Sequence, residues 1–415
     1  MQLNNYIILC AGKGARLWPI TQSIPKAMIR VLGMPVCGWI VKSIYENAKQ
    51  IVIVVSTDND GNKITEYLSD SPWKTKIKFV KQIDVSGTAK AILCAKELLN
   101  EDEPFVVLNG DTFAEPEFYK KINENIKSGN WFLMGKKVED ASSLGLLEIE
   151  NGRLTGIVEK PVGKTNGIIN TGCFYAPNKF WKCLENVKIS VRAEYEATDA
   201  ILEFCKENSM KVVEFAGYWN DVGYFWNYLD SNAFAMDKLM EEGILSELDK
   251  DAVIRGKVFV AKNSQIKAGT VIEGPVYIGP NCTIGPNATL RPYSFIEGNN
   301  HIGTGTEIKN SIVLENSDAH GAYIGDSIIC SKVNLGAGTR IANLKFDEST
   351  ITTKIKGKTI DSKRRKLGVV IGQGTKTGVN VSINCGVLIG NNCRIYPNNF
   401  VKTNLDNDTI FNTNE

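Results

Sequence analysis

Arg16 and Lys26 lie in LCAGKGARLWPITQSIPK, residues 9–26, where two glycines and three cations follow an apolar run. Glycines let backbone amides approach a phosphate with no side chain in the way, and Arg16 and Lys26 add fixed positive charge. The chemistry open to this stretch is the handling of phosphate. Neither of the two commonest glycine loops fits. A dinucleotide fingerprint needs a third glycine where Leu17 stands, and a P-loop needs lysine then serine or threonine where Ala15 and Arg16 stand. A second candidate lies far along the chain. His320, one of only two histidines, falls inside a break in a six-residue repeat.

The elements that position these residues differ between the two parts of the chain. Residues 6–11 have the length and composition of a buried strand, so Gly12 opens a loop at a sheet's carboxyl edge, where ligands bind in open α/β sheets. QIVIVVS, KIKFVKQ and PFVVLNG read as further strands, separated by helical patterns. This alternation predicts an α/β domain with a mostly parallel sheet over residues 1–230. GLLEIENGRLTGIVEK carries a hairpin's NG turn at Asn151 and Gly152. A linker helix is expected over 231–250.

From residue 254 the pattern changes. Ile254, Val260, Ile266, Ile272, Ile278, Ile284, Leu290, Ile296, Ile302 and Ile308 recur every six residues, and the period returns at Ile371, Thr377, Ile383, Ile389, Ile395 and Val401. Asn281 and Asn287 stand at corners, where asparagine tolerates left-handed backbone. Such a repeat stacks short parallel strands into a β-solenoid over 251–415 with the aliphatics inside. Cys282 and Cys393 occupy the small-residue corner. Residues 344–370 interrupt the repeat with β-like alternation around Lys356 and Gly357, which predicts a protruding ribbon. Its cations at 363–366 are available to phosphates.

Composition sets limits on partners. The 415 residues carry 43% hydrophobic and 23% charged residues with a formal charge of +2, which gives no reason to invoke nucleic acid. No apolar run approaches a membrane span and no leader pattern opens the chain, so a cytoplasmic protein with small-molecule partners is expected. Ten cysteines without a CxxC pair indicate neither a zinc site nor a disulfide framework.

The hexad region resembles the left-handed parallel β-helix of the hexapeptide-repeat family, which implies a homotrimer or a multiple of three. The opening stretch resembles the signature of sugar-1-phosphate nucleotidylyltransferases, a GxGxR loop followed by PK, with departures at Cys10 and Ala15. This resemblance implies a Rossmann-like nucleotidyltransferase domain in which a sugar-1-phosphate attacks the α-phosphorus of UTP or dTTP and pyrophosphate leaves. It implies catalytic roles for Arg16 and Lys26, and nucleotide contacts from Leu9, Ala11, Gly12, Gly14, Gln82, Gly87 and Thr88. Gly145, Glu159, Lys160 and Asn170 match its sugar-contacting positions. Asp111 in VVLNGDTF and Asp221 in GYWNDVGY match its ligands for a magnesium ion (Mg2+) or similar divalent cation, and carboxylates suit a hard cation.

The stretch from His320 to Asn343 is similar to the acetyltransferase half of enzymes that join glucosamine-1-phosphate acetyltransferase to N-acetylglucosamine-1-phosphate uridylyltransferase, archaeal relatives included. That resemblance implies acetyl-CoA as co-substrate, His320 as general base, and Arg291, Lys309, Tyr323, Asn334 and Asn343 as the acetyl-transfer site. Asp318 stands where the family commonly has lysine. Ile308 and Ile324 are sixteen apart, and a residue gained upstream is expected to recover the register. His301, which keeps the register, reads as a solvated corner. Two other readings stay open: a monofunctional nucleotidylyltransferase for glucose or mannose with a structural β-helix, and a non-catalytic regulatory scaffold.

Overall fold

The computed structural model describes residues 3–83, 87–100, 102–163 and 165–413. They form two compact units. The first contains residues 3–13, 25–29 and 35–221, and the second contains 14–24, 30–34 and 222–413.

In the first unit, strands Ile77–Gln82, Ala48–Ser56, Asn4–Leu9 and Phe105–Asn109 pair in parallel in that order. The inner three are largely apolar on both faces, as strands buried under helices must be, while the edge strand Ile77–Gln82 keeps Lys78 and Lys81 exposed. Asn4–Leu9 runs in the middle, so the chain leaves it first to one side and then to the other. A crevice opens at that reversal, beyond the ends of Leu9 and Asn109. The sheet continues with Gly167–Ala176 antiparallel to Phe105–Asn109 and ends on the hairpin Gly145–Glu150 and Arg153–Glu159. It is a mixed sheet of nine strands rather than a mostly parallel one. The expected parallel part is the part that builds the crevice.

In the second unit, three eight-stranded parallel sheets form the sides of the β-helix. Ile254 pairs with Ile272, Ile272 with Leu290 and Leu290 with Ile308, one coil every eighteen residues. These side chains point inward; Ile272, Leu290 and Ile308 are inaccessible to water and Ile254, in the first coil, is partly buried, and each fully buried one contributes about 1.5–3 kcal/mol. The corners are made by asparagines in the left-handed region, Asn281 at φ 57° and Asn287 at φ 53° among them. Cys282 is buried at its corner, and burial pushes its thiol up to about 11. The ribbon is a hairpin of Thr352–Ile355 and Lys358–Asp361 with Lys356 and Gly357 at positive φ in the turn.

The helix before the solenoid differs from the expectation. It runs Phe225–Lys238, and Gly243–Ile244 already pairs with the first full coil. Its aromatic face, with Phe225, Trp226 and Tyr228 buried, draws the start forward from 231. No helix among the described residues is long and apolar enough to cross a membrane.

Candidate active sites

The crevice of the first unit is a cleft of about 380 Å³ lined by Leu9, Ala11, Gly12, Lys13, Gln82 and Gly87, with Thr88, Ala91, Asn109, Asp111 and Glu194 completing it. Strand ends supply one wall: Gly110 N donates to Leu9 O at 2.9 Å and Cys10 N to Val54 O at 2.8 Å. A Cβ on Gly12 would meet nothing within 4 Å, so its backbone faces open space. Gly87, at φ 120°, is required sterically, because a Cβ there would lie 2.4 Å from Tyr195 O. Gln82 is buried and its Nε2 donates to Gly87 O at 3.4 Å. Thr88 Oγ1 accepts from Ala197 N at 2.9 Å, tying the following helix to the next layer.

Lys26 and Asp111 form an ion pair in this unit, Lys26 with a side chain 10% exposed and Asp111 29%. Asp221 is brought toward them by a short antiparallel ladder. Trp219 pairs with Ala114 and Asn220 with Phe113, so the residues leading into Asp221 run alongside the segment that follows Asp111. Two carboxylates on facing segments suit Mg2+, which keeps several waters and uses one or two carboxylates with substrate phosphates. No cluster of three or more His, Cys, Asp or Glu occurs among the described residues, so a closed protein cage for a metal is absent there. Gly14 and Arg16 belong to the second unit. Gly14 takes φ 59°, which favours glycine, and the exposed Arg16 guanidinium stacks over the Tyr224 ring at 5.1 Å. Neither lines the cleft.

The sugar-side residues converge at the hairpin. Gly145 pairs with Glu159, and Leu146 pairs with Ile169, which sets Asn170 next to Gly145 along the ladder. Lys160 takes φ 50° and its N donates to Leu144 O at 3.0 Å. Glu159 faces Arg192 at 3.4 Å, and Asn170 Oδ1 accepts from Gly172 N at 2.8 Å.

In the solenoid, no residue is gained upstream of His320. Inward positions step by five, not six, between Ile308 and Val313, between Ala319 and Ile324, and between Ile324 and Ile329, as the coil pairings require. The five-residue corners are 309–311, 320–322 and 325–327, and a still shorter step separates Val401 from Leu405 near the end of the solenoid. The five-residue corners carry Lys309, His320 and Asp326. A six-residue step leaves room for a wide asparagine corner; a five-residue step draws the corner in and turns its side chains onto the neighbouring coil.

His320 is exposed and its N donates to Leu335 O at 3.2 Å. Its ring lies against Gly303, where a Cβ would come within 3.2 Å of Nδ1. His301 is not a solvated corner: it sits on strand His301–Ile302, half-buried, with its ring edge-on to His320 at 5.4 Å. Asp318 pairs in register with His301 and Asn334. Around the next corner, Tyr323 Oη accepts from Asn343 Nδ2 at 3.4 Å, and partial burial pushes the Tyr323 hydroxyl above its ordinary range. Lys309 Nζ is 3.3 Å from Asp326 Oδ2, while Arg291 pairs with Glu307 at 2.9 Å. Thus Lys309, Tyr323 and Asn343 form one connected cluster, with Arg291 one coil above and His320 and Asn334 on the adjoining side.

Sequence reasoning missed Asp326, whose carboxylate joins that cluster; the GD pair at a shortened corner was its only signal. It also missed Asn109 and Glu194 in the cleft. The cations of the ribbon are engaged elsewhere than expected: Arg364 pairs with Asp230 and Arg365 with Glu348. A separate cavity of about 290 Å³ lies between the ribbon and the last coils, where Lys345, Lys354 and Lys402 converge with Asn384, Cys385 and Asn404. Burial raises the Cys385 thiol, so it is a poor nucleophile there.

Residues 5–238 match the family model described as nucleotidyl transferase, and residues 272–410 match the model described as the GMPPB C-terminal domain. The chain is 39% identical over 407 residues to the "Bifunctional sugar-1-phosphate nucleotidylyltransferase/acetyltransferase" of Sulfurisphaera tokodaii, covering 97% of this chain and 98% of that protein. It is 35% identical over 406 residues to the "Bifunctional protein GlmU" of Methanocaldococcus jannaschii, covering 97% and 96%. A crystal structure of UDP-glucose pyrophosphorylase complexed with UDP-glucose superposes with a TM-score of 0.52 at 21% identity, covering 57% of this chain and 100% of that one; it supports the fold. The first unit therefore has the nucleotidyltransferase fold. The chain as a whole belongs to the family of bifunctional sugar-1-phosphate nucleotidylyltransferase/acetyltransferases.

Proposed function

We propose that the chain transfers a nucleotidyl group from UTP or dTTP to a sugar-1-phosphate with release of pyrophosphate, and acetylates an amino-sugar-1-phosphate with acetyl-CoA. The observation that carries the first activity is the Lys26–Asp111 pair at the crevice, which the ladder just before Asp221 supports. Backbone amides from Ala11 to Lys13 face the triphosphate. Gln82 and Gly87 present amide edges to a pyrimidine, and Gly145, Glu159, Lys160 and Asn170 take the sugar hydroxyls. When substrate enters, Lys26 exchanges its carboxylate partner for phosphate oxygens and stabilises charge developing at the α-phosphate. Asp111 and Asp221 would hold Mg2+, which screens the phosphate charges when bound.

In the solenoid, Lys309 and Arg291 take the sugar phosphate, while Asn334, Tyr323 and Asn343 orient the amino sugar and the thioester. His320 accepts the proton that the sugar amine loses as it attacks the acetyl carbon. Imidazole suits this role near neutral pH. The three lysines of the ribbon cavity suit the phosphates of coenzyme A.

A trimer through the solenoid would use two of its three sides. The outward residues of the remaining side, Phe295, Ile312, Ile328, Val370 and Leu388, are already buried within the chain, whereas Phe400, Tyr396 and Ile410 are exposed on the others. All ten cysteines are free thiols, which fits a reducing compartment, and we assign the reaction to the cytoplasm. The test incubates the purified chain with UTP or dTTP and a panel of sugar-1-phosphates, then with acetyl-CoA and glucosamine- or galactosamine-1-phosphate. Pyrophosphate and free coenzyme A are both expected. Pyrophosphate without coenzyme A would leave a monofunctional nucleotidylyltransferase.

A further inference from the structure

We propose that Asp326 is a positioning residue of the solenoid site, a buried carboxylate that fixes the Lys309 ammonium and the Asn343 amide for an amino-sugar phosphate. This deepens the acetyl-transfer reading and rests on it. Asp326 is 3% exposed and takes φ 51°, an unusual conformation for a residue other than glycine, at one of the five-residue corners. Its Oδ2 accepts from Asn343 Nδ2 at 2.5 Å and lies 3.3 Å from Lys309 Nζ, and its Oδ1 accepts from Asn310 Nδ2 at 2.7 Å. The donors come from corners 309–311 and 341–343, on the coils to either side.

Steric detail supports a built site. A Cβ on Gly325 would lie 2.7 Å from Asn343 Nδ2 and 2.9 Å from Tyr323 Oη, so glycine before Asp326 is what lets those two side chains close over the corner. A buried carboxylate is costly unless it is paired and hydrogen-bonded. Here three donors meet it, and two of them, Lys309 and Asn343, have a further use at the same surface. Many regular corners use asparagines whose side chains bond to one another, such as Asn281 to Asn299 at 3.1 Å; the exposed corner aspartate Asp408 takes the Asn392 amide at 3.2 Å, whereas the buried Asp326 gathers two amides and an ammonium.

The paired charge also explains how Lys309 stays aimed. Its side chain is 21% exposed, so one face of the ammonium meets Asp326 and the remaining donors are left for a phosphate. Without Asp326 the flexible lysine stem has no fixed end, and ordering it falls on the substrate.

The experiment compares Asp326→Asn with wild type in the full-length chain. Lys309 is labelled with limiting acetic anhydride and followed by mass spectrometry, a readout that needs no turnover. Labelling of Lys309 is expected to rise about tenfold in the variant, because a charge-assisted contact of this strength is lost. The KM for the amino-sugar-1-phosphate is expected to rise by about the same factor, with kcat changing less, while pyrophosphate release in the other unit stays at the wild-type rate. Asn310→Ala, which removes one donor and leaves the carboxylate, serves if Asp326→Asn does not fold; the same two readouts should move in the same direction by about threefold. Unchanged Lys309 labelling in a folded variant overturns the proposal. So does an acetylation defect confined to kcat. A wild-type chain that forms no free coenzyme A while the labelling still responds removes the acetyl-transfer reading and leaves the positioning by Asp326 standing.

Discussion

The crevice of the first unit and the shortened corners of the solenoid build their sites by opposite routes. In the crevice, Leu9, Gln82, Asn109 and Asp111 meet because a parallel sheet with crossovers carries distant segments to one edge. In the solenoid, each strand pairs with the residue one coil later, so neighbours in space are a fixed count apart in sequence. Function enters the solenoid by breaking that count. Three five-residue steps fall under Lys309, His320 and Asp326, whereas the coils above them keep the six-residue step from Ile254 to Ile308. A crevice comes with the sheet topology; a solenoid wall has to be indented.

The comparison can be broken most sharply at the crevice. Asp111→Ala and Asp221→Ala are each expected to abolish pyrophosphate release, and chelation should do the same to the wild type; full activity in chelator would contradict the carboxylate pair's role. Lys26→Ala should lower the rate about 10²- to 10³-fold, the usual loss for one charge contact in the transition state. Acetylation should be untouched in all three.

At the solenoid, His320→Ala is expected to lower acetylation about 10²- to 10⁴-fold with nucleotidyl transfer retained. Inserting one glycine after Gly321 restores a six-residue step and moves His320 relative to Tyr323. It should lower acetylation as far as His320→Ala while thermal unfolding changes little, since a regular corner is what the rest of the helix uses. Retained acetylation in the insertion variant would mean that the shortened step has no functional part.

A middle-sized effect is expected from Gly87→Ala. The added methyl meets the Tyr195 carbonyl at 2.4 Å in a backbone region few residues adopt, a strain of about 1–3 kcal/mol. Calorimetry should show the loss, and the KM for the nucleoside triphosphate should rise because the Gln82–Gly87 contact shifts. The smallest effect belongs to the ribbon cavity. Lys402→Ala should raise the KM for acetyl-CoA by about tenfold at most, with no change in the KM for the amino sugar. An unchanged acetyl-CoA KM in Lys402→Ala, Lys354→Ala and the double variant would remove that cavity from the coenzyme A path.

What was legible in the residues follows from how each unit uses distance along the chain. The period of six, the corner asparagines, the ribbon with its Lys356–Gly357 turn and the departure of register before Ile324 are local counts, and a solenoid converts a local count directly into position. The glycines and cations of residues 9–26 were legible for the same reason, since they directly follow one strand. Counting was less secure where the effect was cumulative: one sixteen-residue interval turned out to hold two shortened steps, with a third beyond it. Tertiary structure alone decided the Lys26–Asp111 pair across 85 residues and the ladder that runs Trp219–Asn220 alongside Phe113–Ala114. It also decided the contact of His301 with His320, the engagement of Arg364 and Arg365, and the gathering of Lys309, Asn310 and Asn343 on Asp326. The physical reason is that a crossover, or a corner drawn in by one residue, fixes which side chains share a low-dielectric space, and charge pairing there depends on ångströms that spacing along a chain does not specify.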